Sequence, residues 1–268
     1  MAATNAVERM IDLIELMVDH PQGIALSEIA RQLGLAKSAT HRLLSSLVRH
    51  RFVEQPPGRE IYKLGLKLPA LGFRYISRTG VLDVAQPVLD RLAQDTGELV
   101  RLTLADDDRL VWVAIAQGAR HGLRYDPDMG SPVVLHATAP GRAWLATIPE
   151  DAAIRLVERC GFAVPAHFGR QKIGTTPDLV AELDRTRQRG YAVAVEEGEP
   201  GASTVAMPIA VPGMTSGTIS VTGPVMRMSA ERLEELVPSL ASAAEELATI
   251  WPANLLRGAA NNAVGKQG

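Results

Sequence analysis

Apolar side chains recur at helical spacing through the first fifty residues, then give way to short strand-like runs. Val7, Ile11, Ile14 and Val18 predict a first helix over 6–18 with one buried stripe. Asn5 and Glu8 have the spacing of a capping box, with Asn in place of the usual Ser or Thr. Pro21 and Gly23 end that helix. Ser27 is placed to N-cap a second helix, with Glu28 in its first turn. Ile29, Ala30 and Leu33 point inward, Gly34 supplies a turn, and Leu35 closes the turn from inside. A third helix runs from about 36 to 50. Its inner face is read as Ala36, Ala39, Leu43 and Leu47, with Thr40 and Leu44 on the flank. Its opposite face carries Ser38, His41, Arg42, Ser45 and Arg49, with Lys37 at the N-terminal edge. Phe52-Val53-Glu54 and Ile61-Tyr62-Lys63 then read as a hairpin around Pro56-Pro57-Gly58, with Arg59 near its tip.

Helix, turn, helix and hairpin in that order predict a winged helix-turn-helix, which lays its last helix in the DNA major groove. Lys37, Ser38, His41 and Arg42 are the candidate groove contacts, because their side chains offer donors to base edges and phosphates. Ser27, Ser45 and Arg59 complete the DNA-binding set, with Arg59 read as a phosphate contact.

Residues 64–79 hold Leu66, Leu68, Leu71 and Tyr75 on an apolar side, interrupted by Pro69 and Gly72. They read as a linker helix or helix pair that also helps dimerise. A helix from Leu82 to Thr96, ended by Gly97, opens the second half. Strands are expected at 99–104, 109–117, 122–126, 191–195, 203–211 and 216–222. Helices are expected at 140–147, 151–160 and 177–189, the last capped by Thr176 with Pro177 in its first position. A long amphipathic helix closes the pattern from about Ser229 to Trp251. This irregular mixture argues for an α+β fold with an antiparallel sheet flanked by helices. The expected division is 1–65, a linker at 66–80, 81–251, and a flexible tail at 252–268.

Composition narrows the reading. The chain of 268 residues is 46% hydrophobic and 22% charged, which fits two globular domains. No apolar run approaches the roughly 18 residues that span a bilayer, and the N-terminus has no secretory pattern. With Cys160 as the sole cysteine, no internal disulfide forms, and a cytoplasmic location is expected. The net charge of -2 is unevenly spread. Residues 26–65 hold seven basic and three acidic side chains, a local +4 that leaves -6 for the rest. A basic patch confined to the predicted reading head favours polyanion binding there.

The string LSEIARQLGLAKSATHRLL resembles the DNA-binding domain of the IclR family of bacterial transcription regulators. LHATAPGRAWLA at 135–146, RQRGYAVAVEEGEPG at 187–201 and the run from VAMPI to ISVTGP at 205–224 extend the resemblance over about residues 5–250. It implies double-stranded operator DNA as one partner and a small-molecule effector as another. It also implies a homodimer or tetramer and a GAF-like effector-binding domain, with no membrane association and no cofactor. Two departures lie in the recognition helix: Ala36 stands where the family often has Pro, and Ala39-Thr40 where it often has Thr-Val.

The same resemblance implies a pocket lined by Tyr125, Val133, Ala139, Pro140, Gly141, Ala194, Thr204, Ser220 and Thr222. The segment 136–142 opens a helix, and backbone N–H groups at such an end hold carboxylates well. Pro140 has no N–H, so Gly141 and Arg142 are expected to supply the donors. Hydroxyls in the lining point to a small organic or aromatic acid. An alternative reading is a metal-dependent sensor or enzyme that uses His136 with Glu196, Glu197 and Glu199, with His121 nearby. Against it, no HExxH, CxxC, GxGxxG, P-loop or GxSxG spacing occurs, and no catalytic or metal residue is assigned. Glu196-Glu197 reads as a solvated turn or dimer contact, and Cys160 as a buried thiol.

Overall fold

Asn5 accepts a hydrogen bond from the Val7 amide at 3.3 Å, and its own amide donates to Glu8 Oε2 at 2.9 Å, which starts α1 (Ala6–Val18) at the expected residue. The computed structural model describes residues 5–119, 133–212 and 214–251. The chain divides into two compact units, one up to Arg78 and one from Thr79.

In the first unit α1 is followed by β1 (Ile24–Ala25), α2 (Leu26–Gln32), α3 (Lys37–Arg49), β2 (Val53–Glu54), β3 (Ile61–Leu64) and α4 (Lys67–Thr79). The three strands form a small sheet in the order β1-β3-β2. Leu13, Met17, Ile29, Leu44, Leu47, Val53 and Tyr62 make its core. Gly34 turns α2 into α3 at φ +63°, a conformation open to glycine without cost.

Several expectations change here. The buried side of α1 is Leu13 and Met17, while Val7, Ile11 and Val18 are 60, 50 and 58% exposed. The helix carries two apolar stripes that share Ile14, and periodicity alone does not choose between them. The inner face of α3 is rotated toward Thr40, Leu44 and Leu47, leaving Ala36 exposed and Ala39 and Leu43 half-buried. Ser27 is not a cap: pairing of β1 with β3 holds Ala25 extended, so α2 starts at Leu26 and Ser27 lies exposed in its first turn. Pro69 and Gly72 do not interrupt α4. Pro69 sits in the first turn, where no intrahelical N–H bond is lost. No residue of α4 is buried; Leu66, Phe73 and Tyr75 are 80, 70 and 71% exposed.

The second unit opens with α5 (Val81–Thr96), closed by Gly97 at φ +72°. It continues through β4 (Leu99–Asp106), β5 (Arg109–Gln117), α6 (Ala139–Leu145), α7 (Glu150–Cys160), α8 (Thr176–Arg189), β6 (Ala192–Val195), β7 (Ala202–Val211), β8 (Met214–Pro224) and α9 (Ala230–Ile250). The five strands form one antiparallel sheet, β5-β4-β8-β7-β6. Strand alternation puts Arg101, Thr103, Thr204, Ser220 and Thr222 on one face, and Val100, Leu102, Val205, Ile219 and Val221 on the other. Helices α5 and α9 pack on the apolar face, and α6 packs on the polar one through Ala139 and Ala143 against Ala192, Ala194 and Ala206. Small residues let α6 lie close to the strands, which brings its start down to the sheet.

The N-cap of α8 is Thr175, not Thr176, with its hydroxyl accepting from the Asp178 amide at 3.4 Å. Cys160 is exposed rather than buried, since it ends α7 one turn beyond Val157, the last buried residue of that helix. The strand expected at 122–126 and the tail at 252–268 lie outside the described residues.

Candidate functional site

Two places in the chain collect the residues singled out from sequence, one in each unit. In the first, burial of Thr40, Leu44 and Leu47 turns the other side of α3 outward. Lys37, Ser38, His41, Arg42, Ser45 and Arg49 are all exposed. The N-cap residue, Ala36, offers no side chain to the first-turn N–H groups. A helix start of this kind attracts phosphate through its dipole and amides. Arg59 is exposed in the loop between β2 and β3, where its amide donates to Pro56 O at 3.1 Å and Gly58 turns at φ +72°. The basic charge is not all available: hydrogen bonds from Arg31 and then Gln32 hold the Glu28 carboxyl down to about 2, so Arg31 is neutralised locally.

In the second unit a cavity of roughly 100 Å³ lies between the polar face of the sheet and the start of α6. Six expected positions line it: Val133, Ala139, Pro140, Ala194, Thr204 and Thr222. Gly141 and Ser220 are buried nearby but are not in its wall, and Tyr125 and His121 lie outside the described residues. The wall also holds Thr138, from the expected 136–142 segment, and residues that sequence reasoning passed over, chiefly Arg101, Trp112 and Phe168. Arg101 stacks on Trp112, its Cζ 4.0 Å from the ring centroid, and its Nη2 donates to Thr222 Oγ1 at 3.5 Å. Thr222 in turn shares a 2.9 Å hydroxyl bond with Thr204. A charged residue inside the otherwise apolar run LVRLTL was the available signal for Arg101.

The expected donors at the helix start are spent internally. Thr138 caps α6: its hydroxyl accepts from the Gly141 amide at 3.2 Å, and its carbonyl from the Arg142 amide at 3.0 Å. Neither N–H is left for a ligand. Gly141 has a different reason to be glycine: a Cβ there would sit 2.2 Å from the Leu135 carbonyl oxygen.

Arg142 and Glu197 form a fully buried pair. The Arg142 side chain has 0% exposure; it donates to His136 O at 2.8 Å, to Val193 O at 3.1 Å and to both oxygens of Glu197. Glu197 is therefore neither a solvated turn residue nor a dimer contact, although its neighbour Glu196 is exposed. Burial, followed by the nearby Arg142 charge, pushes the His136 pKa below its usual value, and its Nε2 lies 3.2 Å from Phe162 O. His136 and Glu197 are thus committed to protein partners, which leaves neither of these two open for the expected metal or acid-base set. Among the described residues no group of three His, Cys, Asp or Glu could hold a metal ion. No described helix is long and apolar enough to cross a membrane.

Comparison with known proteins bears on both sites. Residues 6–57 match the IclR helix-turn-helix domain, and residues 73–249 match the bacterial transcriptional regulator IclR C-terminal domain. The chain is 30% identical over 243 residues to the HTH-type transcriptional regulator BhcR of Paracoccus denitrificans, covering 90% of this chain and 85% of that one. It is 28% identical over 244 residues to the transcriptional repressor IclR of Escherichia coli, covering 90% and 88%. The crystal structure of an IclR transcriptional regulator from Alicyclobacillus acidocaldarius superposes with a TM-score of 0.78 at 27% identity, covering 91% of this chain and 97% of that one.

Proposed function

Because the chain belongs to the IclR family, whose members are DNA-binding transcription regulators with an effector-binding domain and not enzymes, we propose that its outward α3 face grips operator DNA under control of a small acid. In this reading Lys37, Ser38, His41 and Arg42 enter the major groove, with Ser45 and Ser27 flanking them and Arg59 on the backbone. The effector occupies the cavity against α6, contacted by Val133, Ala139, Pro140, Ala194, Thr204 and Thr222. A homodimer presents two α3 helices to a pseudo-palindromic site. The exposed apolar residues of α1 and α4 supply surface for that association. Effector binding shifts operator affinity by no more than its differential affinity for the two states of the protein.

One observation carries this reading: the second unit closes a small polar-floored cavity, lined by six of the expected residues, in a chain whose first unit turns a donor-rich helix face to solvent. The test is binding of the full chain to the DNA upstream of its own gene, measured by fluorescence anisotropy over a salt series. A steep loss of affinity with salt is expected, together with a change in affinity on adding small organic acids. Absence of any salt-dependent binding to that DNA would overturn the assignment.

A further inference from the structure

The floor and the wall of the cavity in the second unit are held in different ways. The floor, with Thr204 and Thr222, belongs to the β7–β8 ladder and is fixed by strand register. Much of the wall comes from three segments outside that ladder: Thr138 to Pro140, His167 with Phe168, and Gly198. All three lead back to the buried guanidinium of Arg142, which does not itself line the cavity. Resting on the effector reading of this cavity, we propose that Arg142 and Glu197 are positioning residues whose pairing sets the wall against which the effector is recognised.

The guanidinium reaches the segments through separate donors. Nε donates to His136 O at 2.8 Å, two residues before Thr138. Nη1 donates to Val193 O at 3.1 Å, which ties the same group to β6 beside Ala194. Glu197 accepts from Nη1 and Nη2 with its two oxygens, so the 196–201 turn is drawn to the same point. The backbone of that turn passes the hold on. Glu197 O accepts from the Gly169 amide at 3.0 Å, and Glu196 O accepts from the Arg170 amide at 2.7 Å. His167 and Phe168 therefore hang from the turn that Arg142 clamps. The fit is close there: a Cβ at Gly169 would sit 1.9 Å from Glu196 O. A planar fork of five N–H donors meets two carbonyls and a carboxylate at once, a span that the single ammonium of lysine does not cover.

The turn also holds strain that the clamp contains. Glu196 adopts φ +54°, in the left-handed region that favours glycine. Such backbone persists where surrounding contacts fix it, and it gathers at ligand clamps. The Arg142 bond to Glu197 fixes it from the next residue, and Glu196 Oε1 accepts from the Gly201 amide at 3.0 Å. Once released from Arg142, the turn relaxes and carries Gly198 and the 167–170 segment with it.

The test compares the natural protein with two full-length variants. Arg142→Met with Glu197→Leu removes both buried charges together, which a folded unit tolerates, but offers no donor to His136 O or Val193 O. Arg142→Lys keeps a charge beside Glu197. In hydrogen exchange read by mass spectrometry, peptides over 166–172 and 194–201 should exchange roughly tenfold faster in the double variant, with peptides inside β7 and β8 unchanged. Arg142→Lys should fall between. In anisotropy on the upstream DNA, all three proteins should bind alike without ligand. The affinity shift caused by pyruvate or benzoate should vanish in the double variant and survive in part in Arg142→Lys. Natural protection of the two wall peptides in the double variant would overturn the proposal. Faster exchange spread equally over β7 and β8 would overturn it too, because the pair would then support the whole unit rather than the wall. If the natural protein and the double variant answer equally to acid, the effector reading stands and the proposal alone fails. If neither acid moves the DNA affinity of the natural protein, the effector reading fails and takes the proposal with it.

Discussion

The Arg101 guanidinium lies over the Trp112 ring because the β4–β5 register slips between Leu102 and Thr103. Before the slip Arg101 faces Ile115 and Leu102 faces Ala114; after it Thr103 faces Trp112. The extra residue at Val113 moves Trp112 onto the face that carries Arg101. Bulges re-aim side chains in this way, and this one equips the cavity with both its cation and its aromatic wall.

Arg42 is exposed on the outward side of α3, one turn beyond Ser38. Arg42→Ala is expected to lower affinity for the upstream DNA about tenfold, and to reduce the salt slope by about 1 if the contact is to phosphate. Anisotropy over a salt series measures both. Natural affinity in the variant would mean that α3 meets DNA through another face.

Glu197→Gln leaves the Arg142 charge buried without a carboxylate. Breaking such a pair costs about 3–5 kcal/mol, so the second unit should lose most of its margin against urea. The double variant Arg142→Met with Glu197→Leu should recover part of the loss, because the uncompensated charge is gone. Equal urea midpoints for natural protein and Glu197→Gln would show that the pair does not hold the 136–142 segment to the 193–197 strand end.

Gly141→Ala places a methyl group 2.2 Å from the Leu135 carbonyl oxygen. Backbone must yield there, at a cost of about 1–3 kcal/mol, and the Thr138 cap moves with it. Loss of acid binding in the second unit, with unchanged DNA affinity when no acid is present, is the expected pair of results in titration and anisotropy.

Phe73 and Tyr75 expose 70 and 71% of their surface on a helix with no buried residue. Replacing both with Ser should shift sedimentation toward monomer without loss of helical circular dichroism, since neither side chain supports the core of its own unit. An unchanged sedimentation coefficient would remove α4 from the dimer interface.

His136 is held neutral by burial, with Arg142 adding to the effect, so its folded pKa lies below the ordinary 6.5. The unfolded chain therefore binds more protons than the folded one as pH falls past 6.5. Stability from this group is complete above the unfolded value and declines as pH drops toward the folded one. Melting temperature should fall between about pH 7 and pH 5, and His136→Gln should flatten that part of the profile. A parallel decline in both proteins would assign the pH effect elsewhere.

Much of the first unit was legible because local rules decide it. The Asn5–Glu8 box, the Gly34 turn and the outward side of α3 depend on neighbours within a few residues. The inward side of α1 did not, because the helix has two apolar stripes and only the placement of α2, α3 and β3 selects Leu13 and Met17 over Val7, Ile11 and Val18. In the second unit most helices and strands follow the residue pattern to within a few positions. Local spacing also marks the 136–142 segment as a helix start, but not where its amides go.

Sequence by itself determined the winged reading head, its basic charge, the order of the elements and the family. Those properties are written in periodicity, caps and ordered motifs, all of which act over short spans of chain. Tertiary structure alone decided that Glu197 meets Arg142, 55 residues away, that the Gly141 and Arg142 amides are taken by Thr138, and that a register slip turns Trp112 toward Arg101. Each of these depends on which strands pair and in what register, and one residue of slip reverses a side chain from one face of the sheet to the other.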